Sequence, residues 1–321
     1  MTMALARPLT YAVSAPIASP RKGKGKIPAE ALRYFSEGVA LGQLGKHQEE
    51  LAAYDEALRH REDFPEAWYN RGVTLGQLAK HQEALAAFDE ALRYREDFPE
   101  AWYNRGVTLG QLGKHQEALA AFDEALGYRK DYPEAWYNRG VALWELGKHQ
   151  EALLAFDEAL GYRKDYPEAW CNKGVALGLM GKHQEALAAF GRAYEFRDRL
   201  ADGGANLYRL WALDSLAHAL DGLLNQNIRA FEEGGLKYID IFEKSQRDGP
   251  DFVGVVEDTL AQLKARLKKR KEQKAFEELE VFIRLMKIKD PFEGWKALGK
   301  EISKVWPKGH SVRKAVREMR R

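Results

Sequence analysis

Residues 65–98 read PEAWYNRGVTLGQLAKHQEALAAFDEALRYREDF, and residues 99–132 read PEAWYNRGVTLGQLGKHQEALAAFDEALGYRKDY. The two stretches differ only at Ala79/Gly113, Arg93/Gly127, Glu96/Lys130 and Phe98/Tyr132. Their opening string Pro-Glu-Ala-Trp recurs at Pro133 and Pro167, a step of 34 residues each time. A more diverged copy precedes them at 31–64, with Tyr34 in place of the Trp, and a fifth runs through 167–200. A fixed period of this length is the mark of a stacked array, in which no single unit can bury its apolar face alone.

Each unit reads as two antiparallel helices. In the second copy Asp63 is placed to cap the first helix, Pro65 suits its first turn, and Glu66 can close a capping box. Trp68, Gly72 and Leu75 follow at helical spacing, with Gly72 small enough to let a neighbouring helix approach. Ala79-Lys80-His81 forms the turn, where the other copies place Gly first. The second helix carries Ala84, Leu85, Phe88, Ala91 and Leu92 on one stripe. The Trp68 series is expected in the core.

The set Trp68, Gly72, Ala84, Phe88 and Ala91 resembles the tetratricopeptide repeat, and it returns as Trp102, Gly106, Ala118, Phe122, Ala125 and as Trp136, Gly140, Ala152, Phe156, Ala159. The family's proline late in the second helix is missing, replaced by Glu96 or Lys130, and the exit of the fifth copy is irregular at Gly191-Arg192. The resemblance implies an all-α fold: a right-handed superhelix of five helix-turn-helix repeats over 29–200, then a helical cap at 201–248 and basic C-terminal helices at 249–321. It also implies a non-catalytic adaptor that binds a protein or peptide on the concave face lined by the first helices. Matching positions include Glu66, Val73 and Gly76, and the candidate binding residues are Tyr69, Asn70, Gln77, Tyr103, Asn104, Gln111, Tyr137, Asn138 and Asn172.

Two readings of the asparagine row stand side by side. An amide both donates and accepts, so one per repeat can pair with an extended peptide backbone whatever its side chains. This is similar to the asparagine ladder of O-GlcNAc transferases. Alternatively, each Asn bridges neighbouring helices within the array. Tyr69, Tyr103 and Tyr137 would add rigid contact area with a polar tip. Glu66, Glu100, Glu134 and Glu168 read as capping-box members.

His47, His81, His115, His149 and His183 also recur every 34 residues. Equivalent atoms of stacked helices stand about 10 Å apart, whereas zinc ligands must sit within about 2.1 Å of one ion. The row is therefore read as packing at the start of the second helices, with no metal and no cofactor.

Charge and composition bound the rest. The chain has 321 residues, with Lys plus Arg 50 and Asp plus Glu 48, so no chain-wide basic surface awaits nucleic acid. The balance hides a segregation: residues 1–30 carry +4, 31–200 carry −7 and 201–321 carry +5. The single Cys171 excludes a disulfide framework and suits a reducing compartment. No apolar run reaches the roughly 18 residues a membrane span needs, and the proline-bearing N-terminus lacks the apolar stretch of a secretory signal. The expectation is a cytoplasmic protein without a membrane partner. There is no phosphate loop, dinucleotide fingerprint or His-Glu-x-x-His, so no enzyme is expected.

The ends offer alternatives. Residues 1–28 read as a flexible basic arm. Asn206 to Leu224 and Ile228 to Lys244 look amphipathic and suited to cap the stack. The run Lys264, Arg266, Lys268, Lys269, Arg270, Lys271 and Lys274 could hold nucleic-acid phosphates. The stretches Asp290 to Trp295, Ile302 to Trp306 and Val312 to Glu318 loosely resemble antitoxin tails that dock on an acidic partner.

Overall fold

The computed structural model describes residues 27–200 and, beyond them, individual helical positions between 207 and 244. The residues 1–26 and 245–321, with the basic run at 264–274 and the tail at 290–318, lie outside the described residues. Among the described residues there are ten α-helices and no strand. Five hairpins follow one another: α1 Ala29–Gln43 with α2 His47–His60, α3 Pro65–Gln77 with α4 His81–Tyr94, and α5 Pro99–Gln111 with α6 His115–Tyr128. Then come α7 Pro133–Glu145 with α8 His149–Tyr162, and α9 Pro167–Leu179 with α10 His183–Glu195, closed by a 3₁₀ turn at Arg197–Arg199.

The chain divides into two compact units, Arg7–Ala169 and a second formed by Met1–Ala6 with Trp170–Arg321. In the first unit each hairpin packs on the next through its second helix, α2 on α3, α4 on α5 and α6 on α7. The reason for the tight hairpin is local. A Cβ on Gly72 would stand 2.7 Å from Phe88 Cε1, and one on Gly106 would stand 2.7 Å from Phe122. Glycine is thus required where the aromatic ring of the second helix presses on the backbone of the first. The core around this contact holds Tyr69, Val73 and Leu75 from α3, Ala84, Phe88 and Leu92 from α4, and Phe98 and Ala101 from the next unit.

The hairpin turn is a left-handed cap. Gly113 and Gly147 both sit at φ +75°, and the amide of Lys114 donates to the carbonyl of Leu109, six residues back inclusive. That pairing satisfies a carbonyl the helix end would otherwise leave open. Ala79 takes the same conformation at φ 57° in the second repeat.

Two expectations about the helix starts are corrected. The residue capping α3 is Phe64, with no side-chain cap bond; Asp63 instead pairs with Arg61 at 3.0 Å. Glu66, read as a capping-box member, has its carboxylate paired with Arg95 of the same repeat at 2.5 Å. Trp68 and Trp102 are half-buried and lie against the core, with each indole Nε1 donating to a carbonyl of the preceding loop, Glu62 and Glu96, at 2.9 Å.

In the second unit Gly174 meets Phe190 as Gly72 meets Phe88. The described positions from 207 to 222 and from 233 to 244 are helical. Trp211 is fully buried, with Tyr194 at 5.6 Å between ring centroids and the Lys237 ammonium 4.4 Å above its ring.

Candidate functional site

The structure turns the tyrosine row inward. Tyr69 lies between Phe88 and Phe98, at 6.0 and 4.9 Å between ring centroids, and Tyr103 lies likewise between Phe122 and Tyr132. Tyr69, Tyr103 and Tyr137 are all buried, which corrects the expectation that they supply contact area. The physical reason is the close approach at glycine. With α3 and α4 in contact there, the large ring of the first helix fills the gap toward the next repeat. Burial, reinforced by the negative charge of Glu100, pushes the Tyr69 phenol well above its ordinary range, so it stays a neutral hydroxyl.

The asparagines accompany them. The amide of Asn104 donates to the Tyr69 hydroxyl at 2.8 Å, and that of Asn138 donates to the Tyr103 hydroxyl at 2.9 Å. Asn70, Asn104 and Asn138 are buried. The amide nitrogens of Asn104 and Asn138 are therefore engaged between neighbouring repeats, the bridging alternative of the sequence reading. Asn172 on α9 is half-buried, and Gln77 and Gln111 are exposed at the ends of α3 and α5. A Cβ placed on Gly76, next to Gln77, meets nothing within 4 Å.

Two ion-pair ladders run beside the aromatic column. Arg95, Arg129 and Arg163 reach back to Glu66, Glu100 and Glu134 at 2.5, 2.7 and 2.5 Å. Each guanidinium also lies over the next aromatic ring, Phe98, Tyr132 or Tyr166, within 3.6 Å of its centroid. Arg71, Arg105 and Arg139 pair with Asp55, Asp89 and Asp123 of the preceding second helix at 2.7, 2.6 and 2.6 Å. The first ladder ties a repeat to its own exit loop, and the second ties one repeat to the next. Sequence reasoning missed both. The available signal was the recurrence of Arg, Glu and Asp at fixed positions of the central copies, which periodicity alone cannot sort into pairs.

The histidines begin the second helices, as read from the sequence. Their surroundings differ: His47 hydrogen-bonds Glu50 at 3.0 Å, while His149 packs at a tilt against Trp144, 4.3 Å between ring centroids. Among the described residues no three His, Cys, Asp or Glu side chains are grouped to hold a metal ion. No helix of the described residues is long and apolar enough to cross a membrane.

In the second unit a polar cluster went unforeseen. His183 Nδ1 lies 2.8 Å from Asp214 Oδ1, its ring is 5.7 Å from that of His218, and His218 Nε2 is 3.8 Å from Glu233. Asp214 is 7% exposed, and burial raises its carboxyl above the usual value despite the opposing influence of His183 and His218.

Comparison with known proteins agrees with this geometry. A sequence model described as tetratricopeptide repeat matches residues 35–93, 69–133, 103–167 and 137–205. No curated protein matches the chain. Among solved structures, MamA 41-end from Desulfovibrio magneticus RS-1 is similar at 21% identity and a TM-score of 0.51, covering 55% of this chain and 99% of its own. A double mutant of MamA RS-1 gives the same identity and TM-score over 53% of this chain and 96% of its own. YrrB, described as a TPR protein with an unusual peptide-binding site, is 24% identical at a TM-score of 0.47, covering 53% and 87%.

Proposed function

The chain belongs to the tetratricopeptide repeat family, and we propose on that premise that it is a non-catalytic adaptor holding a protein or extended peptide against the face of its first helices. The observation that carries this reading is the row of amides in equivalent positions one repeat apart. Gln77 and Gln111 are exposed at the ends of α3 and α5, with open space beside Gly76. An amide there can donate to and accept from a peptide backbone in the manner first foreseen for the asparagines. The asparagines and tyrosines serve this function indirectly. By joining each repeat to the next they fix the spacing at which the glutamines are presented.

The test is a displayed library of extended peptides selected on the full chain, followed by affinity measurement on the best binder. Changing Gln77 and Gln111 together to Ala should weaken that binder about ten-fold, since each lost hydrogen bond is worth about 0.5 to 1.5 kcal/mol. The melting temperature should stay unchanged. A binder unaffected by the double change would remove the first-helix face from the function.

A further inference from the structure

The outer edge of the array carries a site that the second repeat fills with its own side chain. There Arg93 lies with its guanidinium carbon 4.2 Å above the Tyr94 ring and its Nε donating to Glu90 at 2.8 Å. Its Nη2 stands 2.6 Å from the same carboxylate and 3.5 Å from Glu62, and also contacts the Tyr94 hydroxyl. That hydroxyl donates to Glu62 at 3.0 Å. Two carboxylates and one aromatic face thus surround a planar cation. A guanidinium fits this arrangement better than an ammonium, because it can stack and fork at once. The first repeat has a reduced version, with Arg59 paired to Glu56 at 2.5 Å.

One period on, the same groups return without the arginine. Glu124 replaces Glu90, Tyr128 replaces Tyr94 and Glu96 replaces Glu62, but Gly127 stands where Arg93 stood. Tyr128 is 44% exposed, and a Cβ on Gly127 would meet nothing within 4 Å. No lysine or arginine among the described residues pairs with Glu96 or Glu124. The electrostatics agree with an acidic recess. The Tyr128 phenol is raised by partial desolvation and then by the carboxylates of Glu96, Glu124 and Asp97. At Tyr94 the charge of Arg93 opposes the corresponding rise.

We propose that Glu96, Glu124 and Tyr128 form a docking site for the guanidinium of an arginine in a basic segment of a partner protein. The fourth repeat serves as an internal control. Gly161 again omits the arginine and Tyr162 is 48% exposed, but Lys130 takes the place of the second carboxylate and repels a cation. The acidic middle of the chain, −7 over residues 31–200, would favour approach of such a segment. This inference stands on the outer edge of the second helices and is independent of the first-helix face.

The experiment uses the full chain and two fluorescein-labelled peptides, Gly-Arg-Gly-Arg-Gly and its lysine counterpart, followed by anisotropy at low salt. The arginine peptide should bind about five-fold tighter than the lysine peptide, the effect of one exposed stacking and forked contact. Gly127→Arg restores the arrangement of the second repeat and should remove that preference, whereas Gly161→Arg should leave it intact. Glu124→Gln, which adds no bulk, should weaken the arginine peptide to a similar degree, so the result does not depend on one variant's folding. Equal binding of the two peptides, or an arginine preference that survives both Gly127→Arg and Glu124→Gln, would overturn the site. The Gln77→Ala, Gln111→Ala protein should keep the preference, which separates this outcome from failure of the adaptor reading.

Discussion

The repeated unit up to Ala169 and the unit that begins at Trp170 handle buried polar groups differently. In the first, a solution found once is copied. Asn104 answers Tyr69 and Asn138 answers Tyr103, so a buried hydroxyl meets an amide at two successive joints. In the second, His183, Asp214, His218 and Glu233 meet in one cluster with no counterpart among the other described residues. Asp214 Oδ2 is buried without a hydrogen-bond partner. These Asn–Tyr pairs are neutral, and their energy changes little between pH 5 and 8. A single-use interface can keep an ionisable group whose energy depends strongly on pH.

The largest effect that would sharpen this contrast is at Trp102. Its indole spans the junction between repeats, so Trp102→Ala should destabilise the first unit by about 3 kcal/mol, at the lower end for aromatic truncation because the side chain is only half-buried. Hydrogen exchange should show the joint between the second and third repeats opening before the second unit is affected. Uniform loss of protection along the chain would instead mean that the two units unfold as one.

A smaller change breaks a single copy of the neutral pair. Tyr103→Phe removes the hydroxyl that accepts from Asn138, leaving that amide short of one partner in a buried site, at a cost of about 1 to 2 kcal/mol. The loss should be the same at pH 5 and pH 8, measured by urea denaturation, because the pair itself is an amide and a neutral phenol. A pH-dependent loss would contradict the division drawn between the units.

The smallest change concerns Asp214. Its carboxyl is raised in the folded state chiefly by burial, so the protonated form is favoured by folding. The associated stability is present at low pH and lost as pH rises through the folded value. Asp214→Asn imitates the neutral form. At pH 7.5 it should stabilise the Trp170–Arg321 unit, and it should reduce the gain the natural chain shows on acidification through the folded value. Trp211, buried in the same unit, offers the fluorescence signal. If the variant keeps the full acid gain, the titration belongs to another group.

Much of this was legible in the sequence, and what escaped has a common cause. The period of 34 residues, the close helix approach at Gly72 and the turn at Ala79-Lys80-His81 follow from residue type and spacing, because glycine admits few alternative roles at such points. The side-chain partners did not follow. Tyr69 and Asn70 occupy neighbouring positions on a half-exposed helix, and only the distance to the next repeat decides whether they face solvent or Phe98 and the following asparagine. Glu66 had a local partner in view, the helix start, but its partner in the fold is Arg95, 29 residues away. The cluster at Asp214 was hidden for the opposite reason. Apart from His183 its members stand outside the period, and they are separated by irregular intervals.

The hydrogen bond from Asn104 to Tyr69 has a consequence for how such a chain can vary in length. Because Asn138 stands to Tyr103 as Asn104 stands to Tyr69, the joints are interchangeable. Excising residues 99–132 would set Pro133 directly after Phe98, a junction that α5 already makes, and would bring Asn138 to the Tyr69 hydroxyl. Arg139 would likewise inherit Asp89 from Arg105. No surface would need to be invented and none would be left uncovered. The array can therefore gain or lose whole modules between generations while every intermediate remains a folded protein, with its reach altered in increments of one helix pair, about 10 Å at the helix packing distance.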